Sequence, residues 1–491
     1  MFYMYFCKWK VNPSAHNTLS ILIFSDRVGY RGRYPTLFSI FLTTLYHTEH
    51  ISYICIGYGL FHTMDRRNFL RTGALTLGAA AFATETISAA GKETDAFAAG
   101  KAVEVKVPSE GYVKEPSRRI PLIATADVAV VGGGPAGVAA AVSAARSGAS
   151  VILLEKNWFL GGLWTGGLVL PVIDHEGAAP DGSVVTTLTG FGMEVCGRLR
   201  EMGMIVRNGA HPIVDPEATK YVLDRFIAES GVRMLYNIYV TQVLMSGDRI
   251  DCLICESKSG RCAIRASRVV DCSGDGDVIE WAGESFEHRR HHIGAMWRVG
   301  GVTAGCKDAT PIKGVYVRHL RGELDQDGLD VFNTSRLQQQ YREHIWEDTQ
   351  KLKTLPGNED AFLLESPPML GVRVTRVLDS LHNVRYEDYR GYKEYEDSIG
   401  MSGSGGGKKP YWQIPYRSLL PKKCPNLIVA GRCFGYEEKV TYDAREIATC
   451  LVTGQAAGVA AALSSARRCS LQELGIDVLQ SELRAQNVRL G

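Results

Sequence analysis

An apolar strand, a glycine-rich turn, a helix of small residues and a second buried strand, read in that order between Asp127 and Glu155, predict an α/β fold. Turn signals at Ser246 to Asp248 and at Ser259 to Gly260 divide a later stretch into the strands of a β-meander. A further strand, a glycine and a small-residue helix follow from Leu427 onward, so both ends of the chain build one domain. Together these predict a Rossmann-like domain with a parallel sheet and β-meander, interrupted by an inserted α+β lobe.

In the first unit, Val128 to Val131 suffice for one buried strand, and Gly132, Gly134 and Gly137 follow with dinucleotide-motif spacing. Val138, Ala141, Val142 and Ala145 keep a helical period, Gly148 suits the helix end, and Val151 to Leu154 form a second strand closed by Glu155. Gly132 permits the sharp turn, Gly134 has no Cβ to hold a pyrophosphate away, and Gly137 lets helix and strand pack closely. Unpaired N–H groups at the helix start then face phosphate, and Glu155 accepts hydrogen bonds from a ribose diol while repelling a 2′-phosphate. This is a dinucleotide site that disfavours NADP.

The 491 residues leave room for a large core. A formal charge of +2, without a basic stripe interleaved with aromatics, argues against a nucleic-acid partner. Twelve scattered cysteines match neither a disulfide framework nor a zinc site, so no metal is expected. Residues 1–63 are aromatic-rich and show no helical or strand period. At Met64 the composition changes: Arg66 and Arg67, then Phe69 and Leu70, a mildly apolar stretch and small residues to Ala90 resemble a twin-arginine export signal. Translation is therefore expected to begin at Met64, with residues 1–63 a misassigned extension, 64–90 the signal, and the mature protein periplasmic or otherwise exported. No membrane span is expected in the mature chain.

Residues 91–124 read as linker and entry segment, interrupted by Pro108, Pro116 and Pro121. Beyond Glu155, the glycines Gly161, Gly162, Gly166 and Gly167, with Thr165, form a second glycine-rich turn. Flavoproteins that carry extended FAD use such a turn against the pyrophosphate, which moves the reading from dinucleotide to FAD. Residues 168–212 are a loop-like insertion with one helix near Met193 to Met202, and Asp215 caps a helix beginning at Pro216 and ending near Gly231. Three short strands lead to Arg268–Asp271 and the turn Cys272 to Asp277, closing the first part of the FAD domain at residues 125–284. Residues 285–408 lose the βαβ pattern and read as a substrate or cap lobe with a polar helix from Leu337 to Leu352. The glycines between 400 and 407 suggest a flexible boundary or hinge. Residues 409–491 return to the FAD domain through a strand from Leu427 to Ala430, Gly431, and a helix from about Thr453 to Arg467 whose start aims N–H groups at the flavin.

These segments resemble the FAD-dependent oxidoreductases of the glutathione-reductase-like superfamily, and more narrowly the group related to the flavoprotein subunit of heterodisulfide reductase, with more distant likeness to fumarate reductase flavoproteins. The resemblance rests on VVGGGPAGVAAA, LLEKNWFLGG, VVDCSGDGD, GVRVTR, IPYRSLLP, NLIVAGR and AREIATCLVTGQAAGVAAA. It implies that Gly132, Gly134, Gly137, Glu155, Lys156, Gly161 and Gly162 hold the ADP half of FAD, with Pro135, Ala136, Thr165, Gly166 and Val240 alongside. Gly274, Asp275, Gly431 and the helix start Gly454, Gln455, Ala456 and Ala457 are implied to flank the pyrophosphate, ribityl chain and flavin. Relatives often have an acid between the arginines of GVRVTR, where this chain has Val374. Some relatives carry a 4Fe-4S cluster; Cys252, Cys255, Cys262 and Cys272 lack the tight spacing one needs.

A flavin carries the redox chemistry, and the protein positions the substrate. With no second GxGxxG in a strand–helix setting, the expected cycle is oxidation or reduction of a small polar molecule, with electrons exchanged with an external non-nicotinamide acceptor. The alternatives are an electron-transfer subunit with an iron–sulfur partner, or a protein in which FAD is structural. Arg373, Arg376, Arg417 and Arg445 are candidates to grip a carboxylate or stabilise reduced flavin, with structural ion pairs as the competing role. His382 and His211 are candidate proton acceptors. His288, His291 and His292 lack a complete metal-ligand set, and Tyr411, Trp412 and Tyr416 are aromatics for ring stacking or core filling.

Overall fold

A computed structural model describes residues 115–491, apart from Ala210, and three strands nearer the N-terminus. These are β1 (Tyr3–Lys10), β2 (Thr18–Ser25) and β3 (Phe38–Leu45), which pair antiparallel in that order within a unit of their own, in a stretch whose composition shows no strand period. The twin-arginine motif and residues 91–114 lie outside the described residues.

The second unit is α/β. Strand β4 (Leu122–Val131) leads through the glycine turn to α1 (Pro135–Arg146) and β5 (Val151–Glu155). Val128, Ala129 and Val130 are completely buried, as are Ile152 and Leu153, which is why these strands read as continuous apolar runs. Each buried Val, Ile or Leu side chain among them contributes about 1.5–3 kcal/mol. Helix α2 (Gly190–Glu201) and helix α3 (Pro216–Glu229) follow, the latter capped by Asp215, whose Oδ1 accepts from Ala218 N at 2.9 Å. Strand β6 (Arg233–Tyr236) then adds parallel to β5.

The meander comprises β7 (Ile238–Ser246), β8 (Arg249–Ser257) and β9 (Gly260–Asp271). The sequence suggests a third short strand followed by a separate return to the parallel sheet, but β9 is one continuous strand of 12 residues. Its first half pairs antiparallel with β8, while β4 runs parallel along its other edge from Ala263 to Asp271. No turn residue interrupts it, so one strand joins the antiparallel meander and the parallel strands into a single sheet.

The inserted lobe contains β10 (Ile293–Gly300), β11 (Tyr316–Leu320), α4 (Val331–Lys353) and β12 (Phe362–Glu365), with β10 paired between β11 and β12. Leu337, Tyr341, Ile345 and Leu352 of α4 pack on Trp297 and Val299 of β10. The helix starts six residues before Leu337, with Asp330 Oδ1 accepting from Phe332 N at 2.9 Å. Val331 and Phe332 are exposed, so the first turn carries no buried period that the sequence could reveal.

Of the glycine-rich stretch read as a hinge, Gly400 lies in a buried strand and Gly405–Gly407 form a 3-10 turn. β13 (Ser398–Ser402) pairs with β14 (Trp412–Pro415), and a Cβ at Gly400 would come within 2.5 Å of Val452. Gly400 serves close packing there, not a hinge. The last part of the chain holds β15 (Leu427–Val429), parallel to the last residues of β9, then α5 (Ile447–Arg467) and a final helix α6 (Ile476–Ala485). Helix α5 is long and apolar enough to cross a membrane, yet 94% of that window is buried in the protein, which makes it the core helix. It packs lengthwise on α1, and Cβ atoms at Gly454 and Gly458 would fall 2.1 and 2.0 Å from the carbonyl oxygens of Ala136 and Ala140.

Candidate functional site

The three motif glycines have three different jobs. Gly132 has φ +99° and a Cβ there would lie 2.4 Å from Cys272 O, while a Cβ at Gly137 would lie 1.7 Å from Gly132 O. Both are required by the fold itself. Gly134 has ordinary extended backbone, φ −66° and ψ −177°, and nothing within 4 Å of its Cβ direction. It faces a cleft of about 940 Å³, part of it open to solvent. An L side chain at Gly134 would fill cleft space and nothing else.

Glu155 closes the nucleotide end. Its Oε2 accepts from Gly133 N at 2.6 Å and its Oε1 from Asn157 N and Nδ2 at 2.7 and 2.6 Å, and the side chain is buried. A carboxylate has about four acceptor sites, so three protein donors fix its orientation and leave about one site for a ribose hydroxyl. Lys156 lines the same cleft: burial lowers its pKa, but Tyr239, Asp275, Asp277 and Glu155 outweigh that and hold it above the ordinary value. The second glycine turn folds back here, with Gly161 N donating to Gly133 O at 2.8 Å and Gly162 packed over Gly134.

The opposite wall begins where β9 ends. Buried Asp271 accepts from Ser273 N, Val278 N and Ile279 N at 3.0, 3.0 and 3.1 Å and so shapes the turn to Asp277. Burial nonetheless raises its pKa. Asp277 is pushed up to about 6 by burial and by Asp275 and Asp271, against the pull of Lys156 and Arg376. Arg432, directly after Gly431, donates through Nε to Gly274 O at 2.5 Å, through Nη2 to Asp275 Oδ1 at 2.5 Å, and through Nη1 to Val372 O. It ties the strand ends of β9 and β15 to the inserted lobe. Sequence reasoning quoted its motif but missed the residue; the signal was an arginine placed immediately after a strand-ending glycine.

A second cleft, about 1240 Å³ including space open to solvent, meets the first at Leu163, Arg432, Arg445 and Ile447. Arg373, His211 and Glu446 also line it. Burial pushes the His211 pKa down.

The sequence-predicted residues fall as follows. Gly132, Gly134, Pro135, Ala136, Glu155 and Lys156 line the first cleft, as do Gly162, Val240, Gly274, Asp275 and Gly431. Thr165 is instead buried behind the second turn, donating to Leu160 O at 2.5 Å, and Gly166 packs against Phe159 and Met369. Gly454, Gln455, Ala456 and Ala457 do not begin a helix. They sit two turns inside α5, with Gly454 against α1 and Gln455 Oε1 accepting from Phe191 N at 2.9 Å. The true start, Ile447, and Cys450 line the cleft. Because α5 is buried on every side, no apolar period marks where it begins.

Of the five catalytic candidates, Arg373 and Arg445 reach a cleft and three do not. Arg376 donates to Asp275 O at 3.0 Å and pairs with Asp277 at 3.1 Å and with Glu280, pinning the turn from behind. Arg417 forms an exposed pair with Asp397 at 2.9 Å. His382 stacks edge-on to Tyr395, 5.5 Å between centroids, outside both cleft linings. Trp412 and Tyr416 are buried and donate to Gly403 O and Leu471 O at 3.2 and 2.9 Å, and Tyr411 packs edge-on to Tyr392. His288 contacts Asp327 at 3.1 Å, and Cys255 faces Cys262 across β8 and β9. Among the described residues no three His, Cys, Asp or Glu side chains converge on a metal position.

The family model described as FAD dependent oxidoreductase matches residues 127–328 and 306–483. Search of the curated proteins finds no match. Among solved structures the chain is similar to a geranylgeranyl bacteriochlorophyll reductase-like protein from Thermoplasma acidophilum, at 15% identity over 74% of this chain and 83% of that one, TM-score 0.40. It is also similar to L-amino acid deaminase from Proteus myxofaciens, at 18% identity over 72% and 93%, TM-score 0.39. A third is the p-nitrophenol 4-monooxygenase PnpA from Pseudomonas putida DLL-E4, at 13% identity over 74% and 84%, TM-score 0.38. With the family model covering both arms of the split domain and the inserted lobe between them, the chain belongs to the family of FAD-dependent oxidoreductases.

Proposed function

We propose that this enzyme oxidises or reduces a small polar substrate held in the second cleft, against a flavin held in the first, and exchanges electrons with an external acceptor that is not a nicotinamide. The observation that carries this reading is the junction of the two clefts at Leu163, Arg432, Arg445 and Ile447. The residues of the first cleft fit FAD: the open cradle at Gly134 admits a pyrophosphate, Glu155 is preoriented for a ribose hydroxyl, and the start of α5 closes the far end. Bound FAD supplies hydride acceptance and donation.

The chain's own part is positioning and charge. Arg432 holds the Gly274–Asp275 turn, and Arg445 stands at the junction with a guanidinium available to both clefts. His211, its pKa lowered by burial, supplies a neutral imidazole in the substrate cleft with Nδ1 unpartnered. The sequence holds a single GxGxxG in a strand–helix setting, which supports an acceptor other than NAD(P)H. Arg66 and Arg67 support export by the twin-arginine route, which carries folded proteins and suits one that binds its cofactor before crossing.

Anaerobic screening of small polar molecules against the purified yellow protein tests the reaction. Bleaching of the oxidised-flavin band by a substrate, with recovery on adding an artificial acceptor, is expected. Flavin that stays oxidised with every compound, and is not reoxidised by any acceptor after chemical reduction, would refute it. Mass spectrometry of the mature N-terminus tests export: a peptide from residues 1–63 would contradict a start at Met64.

A further inference from the structure

The wall of the second cleft joins aliphatic side chains, among them Val169, Ile173, Ile213 and Leu320, to three arginines; Arg432 is already committed to Asp275, which leaves Arg373 and Arg445. Arg373 Nη1 donates to His292 O at 3.0 Å and Arg321 O at 3.2 Å, which fixes the guanidinium, and neither partner is a carboxylate. Arg445 pairs with its neighbour Glu446 at 3.0 Å and keeps a buried Nε without a partner. Burial and the nearby Arg445 push the Arg373 pKa down to about 10, and the same two arginines help drive His291 down to about 4 after burial. His291 is therefore neutral near pH 7, while the Arg373 guanidinium remains charged.

Glu446 is the carboxylate that both arginines act upon, yet burial, with Asp443 beside it, leaves its pKa raised. Asp443, beyond it, is taken by the hydroxyls of Tyr389 and Ser404, the latter at 3.1 Å, and Asp308, elsewhere in the cleft wall, acts on His211. Two cations thus share one carboxylate at a desolvated position where an uncompensated charge is costly. An incoming anion would supply the missing counter-charge, with planar guanidinium groups suited to two-pronged contact.

We infer that this cleft binds an organic monocarboxylate, with its carboxylate between Arg373 and Arg445 and its carbon body along the aliphatic wall. The inference rests on the flavin-enzyme reading above and narrows its substrate class.

Titration of the FAD-loaded enzyme, followed by the difference spectrum of the flavin, tests it with two matched pairs of probes: benzoate against benzamide, and octanoate against octanamide. At least one carboxylate is expected to bind about tenfold more tightly than its amide, the scale of a charge-assisted contact. Arg373→Met should weaken that carboxylate about tenfold, leave the amide unchanged and retain flavin, and Arg373→Lys should recover part of the loss. Carboxylates that bind no tighter than their amides in the wild-type enzyme would overturn the proposal, as would equal carboxylate affinity in wild type and Arg373→Met. Wild-type protein that takes up no FAD would instead overturn the cofactor reading, so the two failures are distinguishable.

Discussion

Arg432 donates to Asp275 across 2.5 Å, joining two turns that are 157 residues apart in the chain. The contact locks the end of β9 to the end of β15 on one side of the cleft, and Thr375 Oγ1 reinforces Asp275 from the inserted lobe at 2.8 Å. The opposite wall is built mainly from the first βαβ unit, with Gly162 and with Ile238 to Val240 of β7 beside it, so local contacts carry more of that side than of the Arg432 side.

Replacing Arg432 with Met removes three hydrogen bonds, to Gly274 O, Asp275 and Val372 O, and leaves Asp275 part-buried without its cation. Loss of a charge-assisted contact of this kind is expected to weaken FAD binding about tenfold, equivalent to about 1.4 kcal/mol. Equilibrium titration of the apoprotein with FAD checks it; Arg432→Lys should recover little, because an ammonium cannot span the fork.

The βαβ half of this cleft was legible because its signals are local. Glycine spacing, a helix period and the acid at Glu155 all lie within one short stretch, and the cap at Asp215 and Pro216 is likewise a neighbour effect. The other wall was not legible in the same way. Arg432, Arg376 and Arg417 are all arginines in recognisable motifs, yet one spans the cleft wall, one braces a turn from behind and one sits on the surface, and only tertiary partners separate them. The glycines of α5 misled for a related reason: in a helix buried all round, a glycine marking close contact with another backbone looks the same as one marking a helix start.

That contact gives a stability prediction. Ala at position 458 would gain about 1 kcal/mol of helix propensity over Gly. Its Cβ, however, would sit 2.0 Å from Ala140 O, a backbone atom that cannot rotate away. Overpacking costs of about 1–3 kcal/mol or more exceed the gain, so Gly458→Ala should lower the urea midpoint. An unchanged or raised midpoint would contradict the packing of α1 on α5.

His291 sets a pH dependence. Burial, Arg373 and Arg445 lower its pKa from 6.5 to about 4 in the folded protein. Between those values the unfolded chain binds the proton and the folded one does not, so stability rises with pH through this window and is lost as pH falls from about 6.5 towards 4. His291→Asn should flatten that part of the stability profile, measured by thermal unfolding at a series of pH values. An identical acid limb in the variant would contradict it.

The central claim is that the cleft at Gly134 receives the pyrophosphate of FAD. Gly134→Val tests it most directly, because Gly134 has backbone angles open to any L residue and nothing within 4 Å of its Cβ direction, so the fold should tolerate the side chain. The measurement is the ratio of flavin absorbance to protein in purified Gly134→Val, alongside circular dichroism and the urea midpoint. Protein that folds like the wild type but has lost most of its flavin is the predicted result; a folded variant with full flavin occupancy would contradict the account.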